Sequence, residues 1–140
     1  MTVDRPGWDE YFLDIARSIS RRAECTRRQV GALIVQDNRL VDAGYNGAPP
    51  GAPSCLDGAC PRASQSLDDV PPGSSYDTGP GSCISLHAEM NAVASAARRG
   101  SAVAGAVLYV TEEPCGGCWK LIRAVGFSRV VWPDDELRME

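Results

Sequence analysis

Residues 86–91 read LHAEMN and residues 113–119 read EPCGGCW, and these two stretches decide how the chain folds and which ligands it presents. The first supplies a histidine and a carboxylate, and the second supplies a Cys-x-x-Cys pair. We expect His87, Cys115 and Cys118 to occupy three corners of a zinc tetrahedron, with water at the fourth. Because Glu89 follows closely enough to move that water's protons, the pattern predicts a metal-dependent hydrolase.

The composition is that of one globular domain. With 140 residues, the chain has the length of a single domain around one core, so we expect residues 1–140 to form one domain. Hydrophobic residues make up 44% and charged residues 23%, which argues against a disordered chain. The net charge of −4 and the scattered arginines do not fit a protein that binds polymeric nucleic acid.

The sequence predicts neither a membrane span nor a secretion signal. No apolar run approaches the roughly 20 residues that span a bilayer, and the N-terminus lacks the apolar segment of a secretion signal. We therefore expect a cytoplasmic protein without a membrane partner. In a reducing compartment, six cysteines are better explained as metal ligands or buried thiols than as three disulfides.

The first half of the chain predicts a helix, a hairpin and a loop. Apolar residues at helical spacing run from Trp8 to Ile19, after Pro6. The apolar runs at 30–35 and 40–45 flank the turn signal Asp37-Asn38 and predict a β-hairpin. Residues 46–82 are rich in Gly, Pro, Ser and Asp and predict a long loop, which in a compact domain is usually functional or tied down.

The second half predicts alternating helices and strands. A helix over residues 87–99 should end at Gly100, and a second, opened by Pro114, should end at Gly126. Residues 106–110 and 129–132 read as strands. The apolar face of the first of these helices is predicted to consist of Met90, Val93, Ala94 and Ala97. This alternation predicts an α/β fold, a three-layer α/β/α sandwich.

Two helix N-termini are thereby expected to converge on one point. Their positive dipole ends should lower the pKa values of the Cys115 and Cys118 thiols. The glycines between these cysteines leave space for a ligand. Glu89, two residues after His87, is expected on a different side of the helix, where it suits proton transfer better than metal ligation.

His87, Glu89, Cys115 and Cys118 resemble the H-x-E and P-C-x-x-C pattern of zinc-dependent nucleobase deaminases, and this resemblance implies a hydrolytic deamination. Zinc lowers the pKa of bound water to about 7, so that hydroxide attacks an electron-poor ring carbon at neutral pH. Glu89 would take the water's proton, protonate the neighbouring ring nitrogen and then the departing amine, so that ammonia leaves and a carbonyl remains. A lone histidine is usually a core residue, and a lone Cys-x-x-Cys is often a redox pair or half of a structural zinc site. Their combination with Glu89 favours catalysis over both.

Four segments carry a resemblance to a known family. CTRRQVGA at 25–32, GYNGAP at 44–49, HAEMNA at 87–92 and LYVTEEPCGGC at 108–118 resemble the deoxycytidylate deaminases of the cytidine deaminase superfamily. The H-x-E and P-C-x-x-C motifs are shared by zinc-dependent nucleobase deaminases generally. The resemblance extends from about Trp8 to Trp132. It implies a cytidine deaminase-like fold, one catalytic zinc, and conversion of dCMP to dUMP and ammonia.

By position, the resemblance also implies substrate contacts. Asn46 would contact the sugar, and the Ala88 backbone would face the pyrimidine carbonyl. Arg27 and Arg28 would contact the phosphate, unless they are a solvated charge pair. Trp132 would lie by the base, unless it is a core aromatic that closes a strand.

The resemblance also implies a second, structural zinc. Some relatives bind such a zinc through cysteines similar in position to Cys25 and Cys55, together with a further ligand before the histidine motif. Cys83 could supply that ligand, and Cys60 lies in the same loop. Such a metal would offset the entropy of ordering the loop. The alternative is that these are buried free thiols, which need no metal.

The short C-terminus departs from the family. Only residues 133–140 follow the fourth strand, so we expect a smaller sheet or an irregular last strand. The resemblance implies a homo-oligomer, and dCTP and dTTP are effectors in parts of the family. Rival functions are deamination of a free cytosine nucleoside or of a modified, antibiotic-like cytosine derivative, and a noncatalytic zinc-stabilised binding module.

Overall fold

The structure is a computed structural model that describes residues 2–60, 70–71, 73, 75 and 82–139. Much of the predicted loop at 46–82 therefore lies outside the described residues. In chain order the helices and strands are α1 Trp8–Ser20, β1 Gly31–Gln36, β2 Arg39–Tyr45, α2 Ala88–Arg99, β3 Val107–Val110, α3 Gly116–Val125, β4 Arg129–Trp132 and β5 Asp135–Arg138. A single 3-10 turn, Cys55–Asp57, lies in the loop segment before residue 61.

Within the described residues, the five strands form one sheet in the order β2-β1-β3-β4-β5. β1 is antiparallel to both β2 and β3, whereas β3 and β4 are parallel and are connected through α3. Because β2 and β3 are both antiparallel to β1, they run in the same direction, and the loops that follow them lie at the same end of the sheet. α2 follows β2 and α3 follows β3, so the N-termini of the two helices can meet there. This mixed topology positions the candidate site.

Two hydrophobic clusters lie on opposite faces of the sheet. On one face, Phe12, Leu13 and Ala16 of α1 pack against Leu33 and Val35 of β1. On the other face, α2 and α3 pack against the alternate residues of the strands, among them Ala32, Ile34, Leu108, Val110 and Val130. Successive strand residues point to opposite faces, so β1 supplies both clusters. The predicted three-layer α/β/α sandwich is confirmed.

The predicted hairpin is also confirmed. Asp37 and Asn38 adopt φ values of 51° and 58°, the left-handed conformation that a tight two-residue hairpin turn requires. Asparagine and aspartate tolerate this conformation better than other non-glycine residues.

The predicted apolar face of α2 was half right: Met90 and Val93 are partly buried and pack against the core. Ala94 and Ala97 are exposed, while Ala88, Ala92 and Ala96 are buried. Small side chains let α2 lie very close to β2: a methyl group on Gly44 would clash with the Ala92 backbone nitrogen and lie 2.6 Å from the Ala88 carbonyl oxygen. The close approach of the two backbones thus determines which alanines of α2 face the sheet.

The helix ends were predicted better than their beginnings. Gly100 and Gly126 have positive φ and cap α2 and α3 as expected. α3 begins at Gly116 with Cys115 as its N-cap, so Pro114 precedes the helix instead of opening it. His87 is likewise the N-cap of α2, with extended backbone.

The expectation of a smaller sheet or an irregular last strand was wrong. Asp135–Arg138 forms a regular fifth strand, antiparallel to β4, with its register running from Trp132 against Asp135 to Arg129 against Arg138. A tight turn through Asp134, with φ of 67°, makes this possible within a few residues. Among the helices of the described residues, none combines the length and the apolar character that crossing a bilayer takes.

Candidate active site and metal centre

Three sulfur and nitrogen atoms meet between the N-termini of α2 and α3. The His87 Nδ1 atom lies 3.4 Å from the Cys115 Sγ and 3.3 Å from the Cys118 Sγ. Both N-cap residues have extended backbone, which turns their side chains toward the gap between the helices. We name these residues, His87, Cys115 and Cys118, the helix cluster.

The spacing of the helix cluster fits a zinc ion. Zinc bonds of about 2.0 Å to nitrogen and 2.3 Å to sulfur, at tetrahedral angles, place the nitrogen and sulfur ligands about 3.5 Å apart. The two distances from His87 agree with this value within about 0.2 Å, and one nitrogen with two thiols is a donor set that zinc prefers. Three protein donors leave a fourth position for water, which is typical of catalytic zinc sites.

Glu89 lies beside the cluster and is only 4% exposed. The Cys118 thiol is 3.4 Å from the Glu89 Oε2 atom and is placed to donate to it. The expectation that Glu89 points to a different side of the helix from His87 was wrong. His87 is the N-cap and not part of the helix, so its side chain does not follow the helical spacing, and both side chains reach one site.

Burial dominates the acidity of the inner thiol. In the metal-free protein, burial raises the pKa of Cys118 well above the ordinary value of a thiol, and the Glu89 carboxylate and Cys115 act in the same direction. The expectation that helix dipoles lower this pKa was therefore wrong for Cys118 without metal. Because zinc binds the thiolate, metal binding must release a proton here, and a bound cation supplies the charge that stabilises the thiolate.

A cavity of about 540 Å³ opens over the cluster. This volume is in the range of pockets that hold small organic ligands. The cavity brings together most of the residues that the sequence singled out, namely His87, Ala88, Glu89, Cys115, Asn46, Arg27, Arg28, Cys25, Cys55, Cys60 and Cys83. Gly116 and Gly117 also line it, and no atom of the described residues lies within 4 Å of where a methyl group would project from either. The expected space beside the Cys-x-x-Cys pair is present.

The GYNG segment, residues 44–47, supports the site. Asn46 accepts a hydrogen bond from the Val30 amide and donates one to the Arg28 carbonyl, both at 2.8 Å. Gly47 and Leu86 exchange two backbone hydrogen bonds, of 2.8 and 3.1 Å, which hold the residue before His87 in place. The Asn46 amide is thus engaged with the backbone while it faces the cavity.

Asn91 is a supporting residue that the sequence reading missed. Its Nδ2 donates to the Tyr45 carbonyl at 2.8 Å and to the Gly47 carbonyl at 3.2 Å, which fixes the first turn of α2 to the GYNG segment. No helical spacing links Asn91 to His87, because His87 is the N-cap and lies outside the helix.

The residues predicted to contact the phosphate line the cavity, whereas the residue predicted to contact the base does not. Arg28 lines the cavity and forms an ion pair with Glu112, which also lines it and which the sequence reading did not single out. A partner 84 residues away leaves no local sequence signal. Trp132 is not brought to the cavity: its ring packs edge-on against Trp119, with 5.8 Å between ring centroids, as a partly buried part of the core. The alternative of a core aromatic describes its position.

A second group of thiols lies in the loop. The sulfur atoms of Cys55, Cys60 and Cys83 all lie within 4.8 Å of one another, close enough to share a metal ion. We name these residues the loop cluster. Cys25, which was expected to belong with them, lines the cavity but is outside this group, and its sulfur accepts a hydrogen bond from the Arg27 amide at 3.4 Å. All six cysteines are free thiols.

Burial also raises the pKa of the Cys55 thiol, to about 11, and the neighbouring Cys60 adds to this effect while the Ser85 hydroxyl opposes it. The 3-10 turn holds Cys55 in place through a capping box: the Ser54 hydroxyl accepts from Leu56, and the Asp57 carboxylate accepts from the Ser54 amide. The loop cluster is thus anchored by local backbone structure, although much of the surrounding loop lies outside the described residues.

The fold is a three-layer α/β/α sandwich. One histidine and two cysteines, a donor set suited to zinc, meet at two helix N-termini, with a buried carboxylate beside them. This combination is that of a zinc-dependent hydrolase. Comparison with known proteins gives the family. Residues 6–133 match the cytidine and deoxycytidylate deaminase zinc-binding region. The chain belongs to this family of zinc-dependent hydrolytic deaminases.

Individual relatives agree. The chain is 46% identical over 134 residues to the deoxycytidylate deaminase of Mycobacterium phage D29, covering 95% of this chain and 99% of that protein. It is 38% identical to the deoxycytidylate deaminase of Schizosaccharomyces pombe, of which it spans only 37%. Among solved structures, the dCMP deaminase of cyanophage S-TIM5 in complex with dCMP and dUMP superposes with a TM-score of 0.68 and 26% identity, covering 93% of this chain and 83% of that one.

Proposed function

We propose that this protein hydrolyses dCMP to dUMP and ammonia. The observation that carries the proposal is the helix cluster with Glu89 beside it, in a cavity that also presents Arg28. The deoxycytidylate deaminase of phage D29, which this chain matches over nearly the whole length of both proteins, supports dCMP as the substrate.

His87, Cys115 and Cys118 are the residues we assign to the catalytic zinc, on the strength of their spacing and donor atoms. When bound, zinc supplies a water of pKa about 7 and therefore a nucleophile at neutral pH. The N-termini of α2 and α3 add positive potential around the two thiolates. The chain's remaining task is to move protons and to hold the ring.

We assign the proton transfers to Glu89. Its buried carboxylate takes a proton as the water oxygen bonds to the ring carbon that carries the amine. The same proton goes to the adjacent ring nitrogen. Glu89 then passes the proton of the new hydroxyl to the amine, so that the carbon–nitrogen bond breaks and a carbonyl remains. Water and dCMP thus become dUMP and ammonia, and Glu89 returns to its starting state.

Substrate recognition is assigned to the cavity walls. The Ala88 amide is at the first turn of α2, where backbone N–H groups have no partner within the helix, and it suits the pyrimidine carbonyl. Asn46 would contact the sugar with the hydrogen-bonding capacity that its two backbone bonds leave over. Arg27 and Arg28 would contact the phosphate, because guanidinium groups bind phosphate well.

The loop cluster is proposed as a second, structural zinc site. Three thiols within 4.8 Å of one another support it. A protein ligand in the fourth coordination position, in place of water, would distinguish it from the catalytic site. Cys25 remains a prediction for that ligand, since it lines the same cavity. Bound metal would offset the entropy of ordering a Gly/Pro-rich loop.

We further propose that residues 1–140 act as one domain in the cytoplasm, as a homo-oligomer without a membrane partner. One sheet carries both hydrophobic clusters, which supports the single domain. Oligomer formation and response to dCTP or dTTP rest on the family resemblance alone.

Ammonia release from dCMP, deoxycytidine, CMP and dCTP, with zinc measured on the same protein, tests the proposal. We expect turnover of dCMP with little turnover of the other three. Equal rates with deoxycytidine would favour a nucleoside deaminase, and turnover of none by zinc-loaded protein would favour a binding module or another cytosine derivative. Zinc content separates a missing metal from a wrong substrate.

A further inference from the structure

An ion pair joins two walls of the cavity. The Arg28 Nε and Nη2 atoms donate to the Glu112 Oε2 atom at 2.8 and 2.5 Å. Both side chains are about half exposed, at 54% and 41%, and both line the cavity that holds His87 and Glu89. The pair therefore lies where the cavity meets solvent.

The fold fixes both ends of this pair. Asn46 holds the backbone at Arg28 and Val30 with two hydrogen bonds of 2.8 Å. Thr111, the residue before Glu112, is bonded to Gly31 twice: its amide donates to the Gly31 carbonyl at 3.0 Å, and its hydroxyl accepts from the Gly31 amide at 3.1 Å. The two side chains thus project from chain segments that are tied together at adjacent strands.

An exposed ion pair contributes little to folding stability, so its main physical consequence here is electrostatic. Arg27 and Arg28 bring positive charge to the cavity, and Glu112 and Glu113 bring nearby negative charge. A phosphate monoester carries nearly two negative charges at neutral pH. The positive charges of the two arginines can balance the charge of one such group. Each further phosphate adds negative charge within a Debye length of the two carboxylates, which repel it.

We propose that Glu112 is a specificity-determining residue that restricts the cavity to nucleoside monophosphates. It orients the Arg28 guanidinium toward the position of one phosphate, and its charge disfavours the longer phosphate chains of nucleoside di- and triphosphates. This inference rests on the proposed function, because it takes dCMP as the substrate. It assigns to Glu112 a role that differs from that of Arg28, which attracts phosphate of any chain length.

The Glu112→Gln variant tests this role, because glutamine still accepts a hydrogen bond from Arg28 but carries no charge. We would measure kcat/KM for deoxycytidine, dCMP and dCDP. The diphosphate is used because dCTP is a candidate effector. We expect the ratio of dCDP to dCMP to rise on the order of tenfold, the size of one charge–charge interaction across several ångströms at a partly solvated site. The rise should shrink at high salt.

Two variants make the same change of charge elsewhere. Glu113→Gln makes the same change at the neighbouring residue and should raise the ratio less, because Glu112 is the carboxylate that accepts from the Arg28 Nε atom. Glu10→Gln lies on the exposed surface of α1 and should leave the ratio unchanged. Circular dichroism and thermal unfolding of each variant verify that it folds.

The inference is overturned if wild-type protein deaminates dCMP and Glu112→Gln leaves the dCDP to dCMP ratio unchanged. A merely structural role predicts that result, since it would lower kcat/KM for all three substrates in proportion. It is also overturned if Glu10→Gln raises the ratio as much. The proposed function fails in a different way, when wild-type protein turns over none of the compounds or prefers deoxycytidine to dCMP, and the inference then falls with it.

Discussion

The helix cluster and the loop cluster use similar donor atoms in different surroundings. Each brings three of them within 4.8 Å. In the helix cluster, His87 and Cys115 cap helices that pack on the central sheet, and a carboxylate lies 3.4 Å from Cys118. In the loop cluster, the Cys55 thiol lies 3.5 Å from the Ser85 hydroxyl.

This difference separates a group of donors suited only to binding a metal from one that could also carry out chemistry with it. A carboxylate can accept and return a proton near neutral pH, whereas a serine hydroxyl cannot without a base. Rigid helix ends also keep the donors in place without help from the metal. The loop cluster, by contrast, depends on local turns, so a metal would contribute more to its order.

The largest effect is expected from Glu89→Gln. The change keeps the shape of the side chain but removes the group that moves protons, so kcat for dCMP should fall on the order of 10²- to 10⁴-fold. Zinc content should stay at the wild-type value, because Glu89 is not a predicted ligand. Ammonia release and metal analysis on the same preparation measure both.

Glu136→Gln is the matched control, since Glu136 lies on β5 and outside the cavity lining. Its kcat should be close to that of wild-type protein. Loss of zinc together with activity in Glu89→Gln would show instead that the carboxylate is a ligand.

Serine substitutions compare the two clusters directly. Cys118→Ser should abolish activity and lower zinc content by one equivalent, because a hydroxyl is a poor ligand for a structural or catalytic zinc. Cys55→Ser should also lower zinc by one equivalent but should reduce kcat much less, since the loop cluster is not assigned to the chemistry. Metal content, kcat and the unfolding temperature distinguish the two.

One result would remove the distinction between the clusters. If wild-type protein binds a single zinc and Cys55→Ser retains it, the loop cluster consists of buried free thiols. Lowering the pH should release zinc from both clusters. Protons compete with zinc for the thiolates of Cys55 and Cys118, and the raised pKa values of these thiols favour the protonated form.

The sequence predicted those features that are set by local chemistry. The caps at Gly100 and Gly126, the hairpin turn at Asp37, and the placing of His87 and Cys115 at helix starts all follow from residue type and spacing. Each of these depends on a few consecutive residues, which is the range over which sequence patterns are informative.

The features it missed depend on contacts between distant segments. Neither the Arg28–Glu112 pair nor the position of Trp132 against Trp119 leaves a periodic signal. The grouping of Cys60 in place of Cys25 with the other loop thiols is decided by the path of the chain. For α2, the tight approach to Gly44 decided which alanines are buried, while Met90 and Val93 pack against the core as the spacing predicted.

Close packing gives a second comparison, between the two faces of the sheet. The methyl group added by Gly44→Ala would clash with α2. The one added by Gly31→Ala would clash with the Ala16 carbonyl oxygen of α1 and would lie 2.7 Å from the Ser20 nitrogen. Each should lower the free energy of unfolding by about 1–3 kcal/mol, since a packed core does not accommodate an added methyl group. Chemical denaturation measures this loss.

Activity should separate these two variants. α2 carries Glu89 and begins directly after His87, so Gly44→Ala should lower kcat for dCMP further than Gly31→Ala, whose clash is with α1. Equal losses of kcat at equal stability would show that the α1 face influences the site as strongly as the α2 face.

The smallest effect concerns a charge network on the α1 side of the sheet, away from both clusters. Arg129 donates to both Asp9 and Glu136, and the Tyr109 hydroxyl donates to Asp9 at 2.7 Å. The hydrogen bond from Arg129 is the main cause that lowers the pKa of Asp9 below its ordinary value, partly opposed by burial.

A carboxylate with a lowered pKa in the folded state stabilises that state above the ordinary pKa of about 4, and this contribution is lost as pH falls through the folded value. Asp9→Asn should therefore cost about 0.5–1 kcal/mol at pH 7, a small value because the Asp9 side chain is 43% exposed. The gap from wild-type protein should stay constant down to about pH 5 and narrow below about pH 4. Urea unfolding across this range measures it, and a gap that widens in acid would contradict the assigned pairing with Arg129. Deamination at pH 7 should be unchanged, because Asp9 belongs to neither cluster.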